Sequence, residues 1–284
     1  MATDAQITIL VDNAGATGLT AEHGFALWMI ADGHRLLFDT GQGPALATNA
    51  PALGVDLDTC DTLVLSHGHY DHTGGLPLAL SGRRSPVVHA HPAVMSHRYA
   101  VRDGTARAIH MPPESVTALR SLKPGFLQWV TESVPLSPDI GLVASIPRET
   151  DFEDTGGPFF LDAGGTVPDP IKDDLAIWIR TAEGIVLCVG CCHAGLINTI
   201  RHVRRLTEMP LRAVIGGFHL VNADPRRLDG TVAGLRAAAP ELIVPCHCTG
   251  DRAVAVLRDA LGDIVQPGVA GMRFSFQRPH VQCP

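Results

Sequence analysis

"SHGHYDHTGG", residues 66–75, sets His67, His69, Asp71 and His72 within six positions. It follows the apolar run "DTLVLS" (61–66), which reads as a buried strand, and leads into "TGGL", which bends the chain towards a helix. Side chains two apart on an extended or tightly turning segment can face the same side. His67 and His69 can therefore grip one divalent ion. Asp71 and His72 can grip a second one nearby. Nitrogen and oxygen donors of this kind suit zinc first, with manganese or iron as alternatives. Two ions about 3.5–4 Å apart can share a hydroxide, lower its pKa and polarise a substrate oxygen. The plain alternative is a solvated histidine-rich turn. A buried strand before the cluster and a Gly-Gly turn after it favour the metal.

Outward from the cluster, short apolar runs alternate with helix-like stretches. "ITILVD" (7–12), "FALWMI" (25–30), "RLLFDT" (35–40) and "SPVVHAH" (85–91) read as strands, and "GPALATNAPAL" as a short helix interrupted by Pro51. Residues 98–172 lose periodicity and gain proline, glycine and charge. They read as an elaborated insertion carrying some helix, a cap over a site. Order returns with "LAIWIR" (175–180) and "GIVLCVG" (184–190), a hairpin across "TAEG". Helices over 194–206, 225–238 and 250–261 then alternate with strands over 212–217 and 241–246, and "GMRFSF" closes the pattern. Strands followed by strand–helix alternation, twice over, predict a single α/β domain across 1–284, a four-layer αββα sandwich. No close internal repeat supports the pairing of halves.

Composition narrows the function. The 284 residues are 45% hydrophobic and 18% charged, as a domain with a real core needs. A net charge of −7, with Lys123 and Lys172 the only lysines, gives no footing to nucleic acid. No apolar run is long enough to span a membrane, and the start "MATDAQITILVDN" lacks the basic and apolar regions of a signal peptide. The seven cysteines, five of them in "CVGCC" and "CHC", suit reduced thiols in a cytoplasmic protein.

The cluster resembles the H-x-H-x-D-H signature of the metallo-β-lactamase superfamily, and "LLFDTG" resembles that superfamily's first motif, with Asp39 in the supporting position. "LVDN", "AEHGFALWM", "LLFDTGQG", "IPRETDFE", "GCCHAGL", "GGFHL" and "PCHCTG" together are similar to its 7,8-dihydropterin-6-methyl-4-(β-D-ribofuranosyl)-aminobenzene-5′-phosphate synthase-like branch. The resemblance implies the αββα sandwich and a centre of two divalent ions. His67, His69 and His193 would hold one ion; Asp71, His72 and His247 would hold the other, with Asp39 orienting a ligand from behind. Most members of the superfamily place an aspartate where this chain has Cys191, which can ligate as a thiolate or sit as a small buried residue. Cys188, Cys192, Cys246 and Cys248 read as core.

Further residues compete for the pocket. His219 in "GGFHL" can line it or replace a missing ligand. Glu22 and His23 can enter from the N-terminal hairpin or form a surface turn. His91 can line the pocket, whereas His89 reads as core. Arg148 can hold a substrate phosphate or carboxylate, or pair with Glu149, Asp151 or Glu153. His34, His97, His110, His202 and His280 lack supporting context. No nucleophile elbow, P-loop or dinucleotide fingerprint competes. The leading expectation is a metal-dependent hydrolase acting on an ester, lactone or phosphoester of a small, anionic molecule, with Asp71 positioning the attacking hydroxide. The rivals are a non-hydrolytic phosphoribosyl-type synthase or transferase, motivated by the branch, and a metal-dependent binding protein, motivated by Cys191.

Overall fold

The computed structural model describes residues 5–277; His280, the Cys283 thiol and the first four residues lie outside it. The N-terminal half opens with β1 (Ala5–Val11), β2 (Ala26–Ala31), β3 (His34–Phe38), α1 (Pro44–Ala52) and β4 (Thr62–Val64). The short helices α2 (Tyr70–Thr73) and α3 (Leu76–Ala79) follow, then β5 (Val87–Ala90), β6 (Tyr99–Arg102), β7 (Thr105–Ala108) and α4 (Pro113–Arg120). Next come β8 (Leu127–Trp129), β9 (Val134–Ser137), β10 (Ile140–Val143) and β11 (Phe159–Phe160). The remainder is β12 (Ala176–Thr181), β13 (Gly184–Val189), α5 (Leu196–Thr207), β14 (Leu211–Gly217), α6 (Pro225–Ala238), β15 (Leu242–Cys246), α7 (Asp251–Leu261) and β16 (Arg273–Phe276).

Two large mixed sheets result, in strand orders β16-β1-β2-β3-β4-β5-β8 and β15-β14-β13-β12-β10-β9. Alternation along the strands decides the layering. In β13, Val186 and Cys188 face the other sheet and join Ile7, Leu27, Phe38 and Val64 in the central core. Ile185, Leu187 and Val189 face outward and pack under Ile197, Ile200 and Val203 of α5 and Leu228 of α6. On the opposite outer face, Leu37 and Leu63 meet Leu46 of α1 and Leu119 of α4. Each sheet thus buries both faces, and the four-layer αββα sandwich follows.

Two details depart from expectation. Pro51 does not break its helix; it sits in the last turn of α1, one residue before the end, so few hydrogen bonds depend on its missing N–H. Residues 98–172 do not form one insertion. β8 extends the first sheet, β9 and β10 extend the second, and β6, β7 and β11 form a separate three-stranded sheet. That small sheet is the part that reaches the site: Ala100, Arg102, Thr105, Arg107 and Phe159 line a cavity of about 1110 Å³. Short strands with proline and glycine between them carry little periodic signal, which hid their membership of the sheets.

Candidate metal centre

The centre forms where strands of both sheets end. β4 runs into Ser66 and His67, β3 into Asp39, β13 into Cys191, β14 into His219, β15 into His247 and β1 into Asp12 and Asn13. The open ends of strands are where α/β sheets expose backbone and side chains to a ligand. His67, His69, Asp71, His72, Cys191, His193 and His247 are all buried there. Within this set, His67, His69 and His193 bring their donor atoms within 4.8 Å of one another. His67, His72 and Cys191 do the same, and Asp71 and His247 do so with the exposed His23.

Tautomers follow from the partners behind each ring. The Ser66 hydroxyl donates to Asp39 Oδ2 at 2.6 Å, so its oxygen is left to accept from His67 Nδ1 at 2.9 Å. His72 Nδ1–H donates to Asp39 Oδ2 at 2.7 Å. His193 Nδ1–H donates to the Thr155 carbonyl at 2.8 Å, and His247 Nδ1–H donates to the Asn13 side-chain oxygen at 2.8 Å. In the neutral form of each of these four rings Nε2 is left with a lone pair facing inward. Those nitrogens face each other: His67 Nε2 lies 3.3 Å from His193 Nε2, and His72 Nε2 lies 3.3 Å from His247 Nε2, while His69 Nδ1, 2.9 Å from His67 Nε2, can donate to it or ligate beside it. His247 Nε2 also faces Asp71 Oδ2 at 3.3 Å. Lone pairs aimed at lone pairs and at a carboxylate repel unless a cation or proton lies among them. The donor set therefore fits divalent ions: His67, His69 and His193 around one, and Asp71, His72 and His247 around another, with Cys191 Sγ 3.1 Å from His72 Nε2.

The electrostatics agree. Burial pushes His67, His69 and His193 well below the ordinary histidine range, so they stand ready as neutral ligands. Burial also acts against the charged form of His72, but the Asp39 carboxylate outweighs it and lifts this ring to about 9. A cation at His72 must therefore displace a proton. Burial works against the charge of Asp71, but His23, and His247 when its facing nitrogen carries a proton, hold the carboxyl well below the usual range. Cys191 and Cys248, with sulfurs 3.2 Å apart, hold a proton between them: burial and its neighbour keep Cys191 a thiol, while Cys248 is favoured as the thiolate by Cys191 and His219 in spite of burial.

The turn that carries the cluster is pinned from behind. Gly68 N–H donates to Asp173 Oδ2 at 2.8 Å, and Arg98, 1% exposed, clamps both Asp173 and Asp169. Residue 68 must be glycine, because a Cβ there would lie 2.0 Å from the Val94 carbonyl oxygen. On the other side, His247 takes a left-handed φ of 47°, and its N–H donates to Asp12 Oδ1 at 2.7 Å. None of these supports is signalled locally in sequence; Asn13 and Asp12 in "LVDN" lie 234 and 235 residues from His247.

The other sequence-derived residues divide. His23 lines the large cavity, of about 1110 Å³, and reaches Asp71 Oδ2 at 3.1 Å. His219 lines it too, its ring 4.5 Å from that of His193. Glu22 is elsewhere: its carboxylate accepts from Gln42 and Ala45 N–H at the start of α1, an anchoring role that suits an acid at a helix N-terminus. His91 accepts from Ala93 N–H and caps a turn beside a separate cavity of about 360 Å³. Arg148 borders that smaller cavity and is spent on carbonyls, at 2.8 Å from His193 O and 2.5 Å from Pro170 O. It neither faces the large cavity nor pairs with its acidic neighbours. Glu149 pairs with Arg205, Asp151 pairs with Arg226, and Glu153 accepts from the N–H groups of Ile197 and Asn198 at the start of α5. Cys248, read as core, instead faces Cys191 and lines the large cavity. The arginines lining that cavity are Arg102 and Arg107, the latter donating to the Tyr70 hydroxyl at 3.0 Å.

Comparison with known proteins agrees with this architecture. The sequence profile of the metallo-β-lactamase superfamily matches residues 19–190, ending before Cys191, His193, His219 and His247. An uncharacterized protein of Methanocaldococcus jannaschii, MJ0448, is 31% identical over 251 residues, covering 88% of this chain and 93% of its own. The 7,8-dihydropterin-6-methyl-4-(β-D-ribofuranosyl)-aminobenzene-5′-phosphate synthase of the same organism is 28% identical over 260 residues, covering 87% of each. The crystal structure of Tm1679, a metal-dependent hydrolase of the β-lactamase superfamily, superposes with a TM-score of 0.82 at 27% identity, over 96% of this chain and 99% of that one.

Proposed function

This chain belongs to the metallo-β-lactamase superfamily, and from that membership we propose that it is a metal-dependent hydrolase of a small anionic ester, lactone or phosphoester. The observation that carries the reading is the inward convergence of unshared imidazole lone pairs, each fixed by a hydrogen bond behind it. Two divalent ions, zinc first, would supply Lewis acidity and a nucleophile at neutral pH. Asp71 orients water within the site and, through His23, keeps its own charge. Phe159, Ile109 and Val221 give the cavity apolar walls against which the carbon frame of a substrate would rest. Arg102 and Arg107, on the small sheet above the centre, take the role that sequence gave to Arg148. They hold a negative group of the substrate at the mouth, with Arg107 steadied against the Tyr70 ring at 5.4 Å.

The 28% relative that carries a synthase name supports a second reading, a non-hydrolytic phosphoribosyl-type synthase on the same ions. The test separates them. Protein loaded with Zn²⁺ or Mn²⁺ is assayed on bis(p-nitrophenyl) phosphate, p-nitrophenyl acetate and γ-thiobutyrolactone. Turnover that EDTA abolishes and added metal restores is the expected result. No turnover on any of them, together with a higher melting temperature in ribose 5-phosphate, would favour the synthase.

A further inference from the structure

Cys191, Cys248 and His219 come together at the ends of three adjacent parallel strands, β13, β15 and β14, with no contribution from the H-x-H-x-D-H segment. Their donor atoms all lie within 4.8 Å of one another. Both thiols are buried and unoxidised, with Sγ atoms 3.2 Å apart. A cysteine that only fills space sits among apolar side chains, as Cys188 does in the central core. Cys248 instead faces a second sulfur and an imidazole at the floor of a cavity.

The His219 ring is a second observation. Its Nδ1 is buried with no hydrogen-bond partner, a costly state for a polar nitrogen. Its backbone holds a left-handed φ of 45°, and a Cβ on Gly217, two residues earlier, would lie 2.6 Å from Cys248 Sγ. Strain and close approach of this kind persist where surrounding structure fixes a site.

We propose that Cys191, Cys248 and His219 form a thiolate-rich cation site of their own, beside the histidine–aspartate centre, for a thiophilic divalent ion such as Zn²⁺, Co²⁺ or Cd²⁺. The inference goes beyond the hydrolase reading and does not depend on it. Two sulfurs and one imidazole are a three-ligand set that leaves a fourth position turned to the cavity. Binding leaves both sulfurs as thiolates and releases to solvent the proton that Cys191 and Cys248 share, with no oxidant or reductant involved. Soft sulfur donors select against Mn²⁺ and Mg²⁺, which the oxygen-containing centre can take.

The test must separate this site from its neighbour, because Cys191 Sγ also lies 3.1 Å from His72 Nε2. The full chain, stripped by chelator and kept anaerobic, is titrated with Co²⁺. Bound equivalents and the thiolate-to-cobalt charge-transfer absorption are followed together. Cys248→Ser and His219→Ala are each expected to remove one equivalent, and Cys248→Ser to cut the charge-transfer intensity at least twofold. The double variant His67→Ala/His69→Ala is expected to keep that absorption, and saturating Mn²⁺ is expected not to displace it. Wild-type intensity in Cys248→Ser, or its loss in the double variant, would assign Cys191 to the histidine–aspartate centre and overturn the proposal. Cadmium NMR of the unmutated chain guards against variants that fail to fold. A resonance typical of two-sulfur coordination supports the site, and only nitrogen–oxygen resonances reject it. A Cys191–Cys248 disulfide in freshly reduced, metal-loaded protein rejects it as well.

Discussion

Asp39 does for His72 what Asn13 does for His247: it takes the Nδ1 proton and aims the other nitrogen inward. It does so fully buried, accepting also from Ser66 N–H at 2.7 Å and from the Ser66 hydroxyl. An amide cannot replace it cleanly, since its NH₂ would face donors. Asp39→Asn is therefore expected to weaken the ion at His72 by roughly 10–100-fold, the usual range for a partner behind a ligand. Competition with a chromogenic chelator measures this, and an unchanged affinity would show that His72 needs no such support. Asp174 tests burial instead. Burial raises its carboxyl to about 7, although the Ala194 N–H bond at 2.6 Å and the Arg148 charge work the other way. A folded pKa above the unfolded one means that the native state holds the proton more tightly. The contribution to stability is full below about 4 and is lost as pH rises towards 7. Asp174→Asn stays neutral throughout, so its stability relative to wild type should rise across that window, by on the order of 4 kcal/mol at most. Denaturant melts at pH 4.5, 5.5 and 7 read the difference, and parallel curves would refute the assignment.

Among the elements, the turn between β4 and α2 concentrates the chemistry, and its geometry rests on residue 68. Gly68→Ala would push a methyl group into the Val94 carbonyl and disturb the bond to Asp173. A loss of about 1–3 kcal/mol is expected, as for other overpacked sites, with weaker metal binding alongside. A urea midpoint equal to that of the wild type would contradict it. This turn was legible in sequence because its ligands are consecutive and lie between a strand and a glycine pair. The helices and central strands were legible because their apolar periods are long. The supports were not. Asn13, Asp173, Thr155 and Arg98 reach the cluster only through the fold, and the segments holding three of them lack periodicity. Arg148 was misread for a related reason. Glu149, Asp151 and Glu153 are its neighbours in sequence, yet each is drawn away by Arg205, Arg226 or the N-terminus of α5. Cys248 looked like core because a buried cysteine without its neighbours is indistinguishable from one.

At the scale of the whole molecule, the centre joins what the two sheets hold apart. His67, His69, Asp71 and His72 follow a strand of the first sheet, and His193 and His247 follow strands of the second. The central core between the sheets is apolar and needs no ion to form. The rim is different, because there imidazole nitrogens and a carboxylate are pressed against one another across the two sheets. Removing bound ions should leave the sandwich folded but less stable. At free metal about 1,000 times its Kd, a single site adds about 4 kcal/mol to the folded state. For a domain of this size that corresponds to a melting shift on the order of 10 °C. Scanning calorimetry with and without EDTA measures it. The double variant His67→Ala/His69→Ala sharpens the comparison, since it should lose much of the chelator-dependent shift while keeping a cooperative transition. If wild-type protein melts at the same temperature in EDTA as in excess zinc, the convergence of histidines is not a cation site, and the repulsion among them must be relieved by protons instead.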